Sequence, residues 1–366
     1  MKKLFIISRY SPLDQGGIEK AIKIYIDDNE INKYYKIKSI FFNKKLLPKI
    51  KYKFTEFIEI NKFFTIFNNP FSVKYIYLFF KNLKSCDIIH FHFPNILAIF
   101  VLIFLKKKNH KIIIHWHSDI LTYRIFYFFI IPFEKIIINK SDSIIVTSYD
   151  YYKSSLPLKN IPESKITIIP TGSPNRLLSK YVRPYKKNYI LSIGRLVKYK
   201  GFDKLIKAYA ISKKKNDLII VGDGPEFKKL NYLIKKYDIR NNVKILSNID
   251  DSNLLNYIEF CDFFALTSQN RQEALGLVFI ESMKFKKAIL TTFINGSGVN
   301  SIVINNFNGL VTQNNIKKIS KSMDVLSQNN ELKLNLGTNG YHFYIKNLTS
   351  NIYIDRINNL YHELLR

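Results

Sequence analysis

A segment near the middle of the chain combines two cations with glycines, which suits an anionic ligand. It reads GRLVKYKG at 194–201 and follows a predicted strand at 189–193. Arg195 and Lys200 flank the turn, where they would clamp a diphosphate and stabilise the charge that develops as it leaves. Two solvated cations in a lysine-rich chain would give the same pattern, so composition alone leaves both interpretations open.

Two glutamates stand at the ends of the segment EALGLVFIE, which begins at Glu273. If 275–284 is helical, Glu273 lies at the positive N-terminal end of the helix, and the backbone N–H groups of Gly276 and Leu277 face a ligand site. Glu281 lies two turns further along among apolar residues, so a solvated role explains it poorly. The spacing alone indicates little, because any two surface glutamates can match it.

Two glycine-containing turns follow other predicted strands. Gly16 and Gly17 open a helix soon after the first strand, and their backbone would let a phosphate approach the unpaired N–H groups of that helix. The segment GDGP at 222–225 comes later, and its Asp223 is predicted to cap the helix that Pro225 starts. Each of these turns also has a purely structural interpretation.

Short apolar runs alternate with amphipathic stretches, and these elements must position the four segments. Strands are predicted at 3–8, 35–41, 87–92, 111–117, 143–147, 165–169, 189–193, 217–221, 243–246, 263–266 and 288–291. Helices are predicted at 18–29, 202–212, 225–237, 275–284 and 351–365. Unalternating strands separated by helices indicate parallel sheets covered on both faces. Ligands bind such sheets outside the carboxyl ends of the strands, where the four segments lie.

The domain organisation follows from the two series of strands. A chain of 366 residues has the length of two domains. We expect an α/β protein with two doubly wound, Rossmann-like domains that face each other across a cleft. Periodicity breaks at 170–188, which places an N-terminal domain at 1–175 and a C-terminal domain at 185–345.

The chain is strongly basic, with 57 Lys and Arg against 28 Asp and Glu and a formal net charge of +29. Such a charge attracts nucleic acid, anionic lipid or phosphorylated substrates. The cluster Lys106-Lys107-Lys108 follows the apolar run 96–105, so it is a candidate for contact with a membrane surface, although a solvated helix end fits equally well. No RRM, KH or helix-turn-helix pattern supports binding of nucleic acid.

The remaining composition indicates a reducing compartment without a membrane span. Cys86 and Cys261 lie far apart and lack CxxC spacing, which argues against a disulfide framework or a cysteine zinc site. The apolar run at 4–7 is too short for a secretory signal. No apolar stretch is long enough to cross a bilayer.

Taken together, the four segments in this order resemble family-4 glycosyltransferases of the GT-B fold, and the resemblance covers nearly the whole chain. The most specific pieces are GRLVKYKG, GDGP and EALGLVFIE, with the spacing between them. Supporting matches are GGIE near the start, DIIHFHFPN at 87–95, HWHSDI at 115–120, SDSIIVTS at 141–148, IIPTG at 168–172 and NGLV at 308–311. The family also implies that 1–175 is the acceptor-side domain, that 185–345 binds the nucleotide sugar, and that a C-terminal helix at 346–366 packs back on the first domain.

The resemblance implies a retaining hexosyltransferase that uses a nucleotide sugar and needs no metal or other cofactor. Arg195 and Lys200 would bind the donor diphosphate and assist its departure, Glu273 would hold hydroxyls of the donor sugar, and Glu281 would hold the ribose. His117 matches the family's histidine close to the transferred sugar, so the catalytic candidates are Arg195, Lys200, Glu273 and His117. Further donor-binding positions are Gly16, Gly17, Gly194, Gly222, Gly276, Leu277 and Val278.

Four residues beside that histidine are acceptor-side candidates. His92 and Asn95 would line the same side of the site. Trp116, the only tryptophan, is either a core residue or a platform that stacks on a sugar. Asp119 ends an HSD segment that resembles enzymes using GDP-mannose or related GDP-sugars in surface-polysaccharide assembly. The HWH run at 115–117 does not resemble a zinc set, because no H-E-x-x-H pattern or carboxylate partner accompanies it.

We therefore expect a glycosyltransferase that moves a hexose-type sugar from a GDP-mannose-like donor, with UDP-sugars as an alternative. The acceptor would be a saccharide or lipid-linked saccharide in surface-polysaccharide or lipopolysaccharide synthesis. The protein would be cytoplasmic and peripheral on the inner face of the cell membrane, bound to anionic lipid but not to nucleic acid. Two alternatives keep the fold: a non-catalytic partner subunit, which the presence of Arg195, Lys200 and Glu281 disfavours, and a sugar-nucleotide 2-epimerase, whose motifs are not recognisable.

Overall fold

The computed structural model describes residues 1–14, 16–26, 28–43, 55–66, 69–83, 86–105, 110–120, 124–174, 177–213 and 216–366. The chain divides into two compact units. The first unit comprises Met1–Pro174 and Ser350–Arg366, and the second comprises Asn175–Thr349. The predicted membrane-contacting cluster Lys106-Lys107-Lys108 lies outside the described residues.

The first unit contains one large sheet. Its strands are β1 (Lys2–Tyr10), β2 (Tyr35–Phe42), β3 (Thr55–Ile60), the short pair β4 (Phe64–Ile66) and β5 (Asn69–Phe71), β6 (Ile88–Phe93), β7 (Lys111–Trp116), β8 (Ser143–Val146) and β9 (Ile166–Ile168). Within residues 1–174 its helices are α1 (Gly17–Ile26), α2 (Asn29–Tyr34), α3 (Val73–Leu83), α4 (Ile96–Ile103), α5 (Arg124–Lys140) and α6 (Tyr149–Ser154). The large sheet has the order β3-β2-β1-β6-β7-β8-β9, and all its strand pairs are parallel.

The second unit repeats the arrangement. Its strands are β10 (Tyr189–Ile193), β11 (Asp217–Val221), β12 (Val243–Leu246), β13 (Phe263–Leu266), β14 (Ile289–Thr292) and β15 (Leu310–Thr312). Its helices are α7 (Phe202–Ala210), α8 (Phe227–Lys236), α9 (Asp251–Phe260), α10 (Leu277–Lys284), α11 (Val299–Ile302), α12 (Ile316–Gln328) and α13 (Asn330–Asn347). The parallel sheet has the order β12-β11-β10-β13-β14-β15. A last helix, α14 (Ser350–Leu365), belongs to the first unit.

Every strand that the apolar runs predict is present, but four strands escaped prediction. These are β4 and β5, each of three residues, and β3 and β15, which lie at sheet edges and are only partly buried. An edge strand is covered less completely, so its apolar run is weaker. The predicted helix at 18–29 is also two helices, because the Asp28 side chain accepts hydrogen bonds from the backbone N–H groups of Glu30 and Ile31 and so begins α2.

The strand orders place the predicted site segments at the two switch points of the sheets. In the first sheet β1 lies between β2 and β6, and in the second β10 lies between β11 and β13. The loops that leave the carboxyl ends of such neighbours diverge and open a crevice for a ligand. The GGIE and DIIHFHFPN segments follow or include β1 and β6, whereas GRLVKYKG and EALGLVFIE follow β10 and β13.

The C-terminal helix α14 completes the core of the first unit. Tyr353, Ile357 and Tyr361 are almost fully buried, and they pack in one cluster with Tyr25 of α1. The apolar stripe that predicts a helix at 351–365 therefore covers one face of the first sheet's core. The same helix places the hydroxyl groups of Tyr353 and Tyr361 in the interior of the first unit.

The two most apolar helices of the first unit pack against each other. α4 has 8 residues, and α5 has 17 residues with Pro132 inside it. Rings of Phe100 and Phe133 meet at 4.8 Å between centroids and join the two helices. Among the described residues, no helix combines the length and the apolar character needed to cross a membrane.

Candidate functional site

The loops after β10 and β13 bring together two of the predicted charged residues. The Nζ atom of Lys200 lies 2.6 Å from Oε2 of Glu273, and both side chains are nearly buried. The hydroxyl of Ser268, just after β13, donates to the same carboxylate oxygen at 2.8 Å. The two residues are far apart in sequence, so only the adjacency of β10 and β13 makes this pair.

The environment keeps Lys200 charged. Burial by itself lowers the pKa of its ammonium group, but the nearby Glu273 carboxylate and Tyr199 outweigh burial and raise the pKa above its ordinary value. A buried ion pair of this kind is an expensive arrangement unless hydrogen bonds complete it. The Ser268 hydroxyl supplies one of them.

The main chain around Glu273 is held by the loop after β14. The Ser297 hydroxyl donates to the carbonyl oxygen of Glu273, and the N–H of Gly298 donates to the carbonyl oxygen of Ala274 at 2.7 Å. Gly276 then starts α10 with φ of +76°, a left-handed conformation that favours glycine. A Cβ atom there would lie 2.6 Å from the Phe279 ring, so no larger residue fits without a shift.

The N-terminus of α10 lies beside the Glu273 carboxylate and has no side-chain cap. Leu277 and Val278, which were predicted as donor-binding positions, form its first turn and are half-buried. Glu281 lies further along the same helix and is 8% exposed. Burial lowers the pKa of Lys284, and the Glu281 carboxylate partly opposes this effect. The structure thus places Glu273 at the N-terminus of α10 and Glu281 in the second turn of the same helix.

Arg195 and the glycines of two turns lie on the same edge of the second sheet. A Cβ atom on Gly222 would lie 1.9 Å from the carbonyl oxygen of Gly194, so these two turns approach through bare backbone. The stem of Lys200 passes 3.4 Å from the position that a Cβ atom on Gly194 would take. The Arg195 side chain is exposed, and within the described part of the chain it has no ion-pair partner.

The predicted capping role of Asp223 is wrong. Helix α8 begins at Phe227, and no side chain caps it. The Asp223 carboxylate instead accepts a hydrogen bond from the backbone N–H of Asn248 at 3.2 Å. The turn after Pro225 delays the helix by two residues, which carries Asp223 out of reach of the helix N-terminus.

The turn at Gly16 and Gly17 carries a carboxylate of its own. Helix α1 begins at Gly17, and the nearly buried Glu19 side chain folds back so that a Cβ atom on Gly16 would lie 2.0 Å from its Oε2. A negative charge near a helix N-terminus is favourable. A phosphate at this turn would therefore have to displace the Glu19 carboxylate.

In the first unit, two predicted histidines belong to a larger cluster. His92 Nδ1 lies 2.8 Å from His117 Nε2, and the Tyr25 hydroxyl lies 2.6 Å from His92 Nε2. Two histidines that were not predicted as site residues, His90 and His115, lie beside them with ring nitrogens 3.3 Å apart. Their sequence signal is the i, i+2 spacing on β6 and β7, which places all four rings on one face of the sheet.

The four imidazoles are neutral. Burial lowers the pKa of His90, helped by His117, to about 3, and burial also lowers the pKa of His117 to about 3. Burial together with the neighbouring histidines holds the pKa of His92 and His115 well below its usual value. Neutral imidazoles can serve as metal ligands or as hydrogen-bond relays.

The ring geometry favours a relay over a metal site. One ligand nitrogen each from His90, His92 and His115 lies within 4.8 Å of the others. However, the rings stack, with interplanar angles of 10° to 26° and centroids 4.5 to 5.4 Å apart. An imidazole lone pair points within its ring plane, so three stacked rings cannot aim at one ion without turning. The nitrogens instead make the hydrogen bonds described above.

Three acceptor-side candidates have structural partners inside the first unit. Trp116 is fully buried and stacks on Phe93 at 3.7 Å between centroids, so it is a core residue and leaves no ring face for a sugar. Its indole N–H donates to Asp119 at 2.8 Å, and the Ser155 hydroxyl donates to the same oxygen at 2.7 Å. Asn95 caps α4 through a hydrogen bond from the N–H of Ala98. Asp119 and Asn95 thus shape the loops around His117.

Comparison with known proteins matches both parts of the chain. Residues 52–174 match the family model described as Glycosyltransferase Family 4, and residues 175–343 match the model described as Glycosyl transferases group 1. The O-antigen chain mannosyltransferase C of Escherichia coli is 24% identical across 100% of this chain and 99% of its own length.

Solved structures share the fold at low sequence identity. Sucrose-phosphate synthase from Thermosynechococcus elongatus has a TM-score of 0.80 and 18% identity, covering 100% of this chain and 99% of its own. HepE of Anabaena, solved in complex with UDP and glucose, has a TM-score of 0.76 and 18% identity, covering 99% and 100%. The predicted family, fold class and enzyme class are confirmed: the chain belongs to the family-4 glycosyltransferases and has the GT-B fold, with two Rossmann-like domains.

Proposed function

We propose that this glycosyltransferase moves a hexose-type sugar from a nucleotide-sugar donor to a saccharide acceptor in surface-polysaccharide synthesis, with retention of configuration and without a metal ion. The observation that carries the proposal is the buried pair of Lys200 and Glu273 at the switch point of the second sheet. It couples a fixed cation to a fixed carboxylate at the position where this fold binds ligands.

The cations act on the leaving group. When the bond between the sugar's anomeric carbon and the diphosphate oxygen breaks, the electron pair stays with the nucleoside diphosphate. Lys200 and the exposed Arg195 stabilise this charge, as a metal ion does in other enzymes. The uncapped N-terminus of α10, with Leu277 and Val278, adds backbone N–H donors. Gly194 and Gly222 let the diphosphate approach the backbone closely.

The carboxylates and His117 act on the sugar and the ribose. Glu273 accepts hydrogen bonds from donor-sugar hydroxyls with the oxygen that faces Gly276, while its other oxygen holds Lys200. Glu281, further along α10, accepts from the ribose hydroxyls. Neutral His117 offers a hydrogen bond to the transferred sugar, and His92 and Asn95 support its surroundings. The acceptor hydroxyl forms the new bond and loses its proton to the departing phosphate oxygen.

GDP-mannose is the donor that we favour. The HSD segment that ends at Asp119 resembles enzymes that use GDP-sugars, and the relative from Escherichia coli is called an O-antigen chain mannosyltransferase. That name also favours lipopolysaccharide as the class of product. HepE was solved with UDP and glucose, so UDP-sugars are the alternative donors to test.

The proposal is tested by proton NMR of reactions with GDP-mannose in EDTA, using an alkyl α-mannoside as the acceptor probe. We expect an α-linked product, and α-mannose as the first product of slow donor hydrolysis when the acceptor is omitted. A β-configured product would contradict retention. Activity that appears only when Mg²⁺ or Mn²⁺ is added would contradict metal independence.

We further propose that the α4–α5 face docks on the inner surface of the cell membrane. We define this face by three exposed residues of the packed helix pair, Phe104 at the end of α4 and Phe128 and Phe129 of α5, which are 73%, 73% and 66% exposed. Lys140 Nζ donates to the carbonyl oxygens of Ile103 and Leu105 and so fixes the end of α4. Exposed aromatic rings on a chain of net charge +29 suit an interface with anionic lipid.

Vesicle binding tests this docking surface. The variant Phe128→Ser/Phe129→Ser should bind phosphatidylglycerol vesicles at least tenfold more weakly, because burying one phenylalanine contributes about 1.5–3 kcal/mol. Leu334→Ser in the second unit removes a similarly exposed apolar residue, at 66%, and should leave binding unchanged. The proposal is wrong if Phe128→Ser/Phe129→Ser binds the vesicles as tightly as Leu334→Ser does. It is also wrong if the wild type does not bind them at low salt.

A further inference from the structure

Two chains of hydrogen bonds run in parallel through the interior of the first unit. In the first chain, Tyr25 contacts His92, and His92 contacts His117. In the second chain, Tyr361 of α14 contacts His90 Nδ1 at 2.6 Å, and His90 contacts His115. Both chains therefore have the order tyrosine, histidine, histidine, and both begin at a fully buried hydroxyl.

The direction of the protons in the first chain follows from the number of donors. A neutral tyrosine hydroxyl carries one hydrogen, and among the described residues the only partner of the Tyr25 hydroxyl is His92 Nε2. Because a buried donor without an acceptor is costly, Tyr25 donates to Nε2. His92 then carries its own hydrogen on Nδ1 and donates it to His117 Nε2. His117 must therefore carry its hydrogen on Nδ1.

The two chains end differently. The second chain runs from Tyr361 through His90 to His115, whose Nε2 is buried and has no hydrogen-bond partner among the described residues. His117 ends the first chain and keeps 8% exposure, and in the described part of the protein its Nδ1 makes no hydrogen bond. Only the first chain thus ends at a nitrogen that a ligand can reach.

We propose that Tyr25 and His92 are positioning residues that fix His117 as the neutral tautomer protonated at Nδ1, so that it presents a hydrogen-bond donor to an oxygen of the bound sugar. The proposal rests on the proposed function of His117. Burial of the cluster keeps the imidazoles uncharged, which leaves the tautomer as the property to be set. An unpaired His92 would allow both tautomers of His117.

The cluster also offers a matched control. Tyr25→Phe and Tyr361→Phe each remove one buried hydroxyl that lies 2.6 Å from a histidine nitrogen, so their losses of thermal stability should be similar. Only Tyr25→Phe interrupts the chain that ends at His117. A difference between the variants in the state of His117 therefore cannot come from stability alone.

The decisive readout is long-range proton–nitrogen NMR of protein labelled with ¹⁵N-histidine, with His117 assigned through His117→Asn. We expect His117 to be protonated at Nδ1 in the wild type and in Tyr361→Phe, and to be a mixture of tautomers in Tyr25→Phe. Protonation of wild-type His117 at Nε2 overturns the proposal. An unchanged His117 signal in Tyr25→Phe overturns it too.

Kinetics complete the test. Tyr25→Phe should lower kcat/KM by about tenfold, the effect of one lost hydrogen bond, whereas Tyr361→Phe should stay within about twofold of the wild type. Equal losses in the two variants would contradict a positioning role. Full activity of His117→Ala would remove the proposed catalytic role of His117, and the NMR result would still decide whether Tyr25 and His92 set its tautomer.

Discussion

Replacing Lys200 with methionine should lower kcat/KM for sugar transfer by about 10²–10³-fold, the effect of removing one preorganised charge that stabilises a leaving group. The same change leaves the Glu273 carboxylate nearly buried without its cation. Breaking a buried ion pair in this way costs about 3 kcal/mol of folding free energy. Both effects should appear together, in steady-state kinetics and in chemical denaturation.

A double variant separates chemistry from stability. In Lys200→Met/Glu273→Gln no buried charge is left uncompensated, so most of the lost stability should return while transfer stays impaired. Lys198→Met serves as the control, because Lys198 lies in the same turn with an exposed side chain. We expect it to behave like the wild type. If Lys200→Met keeps more than a tenth of the wild-type kcat/KM, the proposed role of this cation is wrong.

The first unit should lose stability progressively as the pH falls below 6.5 and should be unfolded at about pH 4. Burial holds the pKa of His90 and His117 at about 3, and that of His92 and His115 well below the ordinary 6.5. Below pH 6.5 the unfolded chain binds protons that the folded chain cannot bind, so stability is present above pH 6.5 and is lost as the pH falls. His90 and His117 each contribute about 3 kcal/mol of this loss between pH 6.5 and 4, and His92 and His115 add to it in the same direction.

His90 and His117 alone therefore remove about 6 kcal/mol by pH 4, which is comparable with the whole stability of a typical domain. Trp116 reports the event directly, because it is the only tryptophan and is fully buried in the first unit. Its fluorescence should change with the uptake of about four protons. His115→Phe should make the acid transition shallower, while His342→Gln, at an exposed position in α13, should not. A first unit that stays folded at pH 4 would contradict neutral burial of the cluster.

The fold was predictable because parallel sheets buried on both faces leave continuous apolar runs. β10, β11 and β13, for example, have the predicted bounds and are buried throughout. Prediction failed where burial is partial, as in β3 at a sheet edge. It also failed at Asp223, because the helix start depends on how the backbone leaves the GDGP turn.

The candidate site was predictable as residues but not as contacts. Lys200 and Glu273 each stood out through local glycines and charge, yet their pairing depends on which strand lies beside β10. The histidine cluster needs the register of β6 and β7, in which His92 lies opposite His115. Tyr361 reaches His90 only because α14 returns to the first unit. The pattern of residues within one segment does not show which other strands or helices lie beside that segment in the fold.

The central claim, that the second unit holds a nucleotide sugar without a metal ion, is tested most directly by calorimetry in EDTA. Wild type and Glu281→Ala would be titrated with GDP-mannose, UDP-glucose and UDP-N-acetylglucosamine. We expect one donor to bind the wild type and to bind Glu281→Ala about 10- to 100-fold more weakly, because hydrogen bonds to a charged group contribute about 1.5–3 kcal/mol. If none of the three binds the wild type at millimolar concentration, the account of this site is wrong.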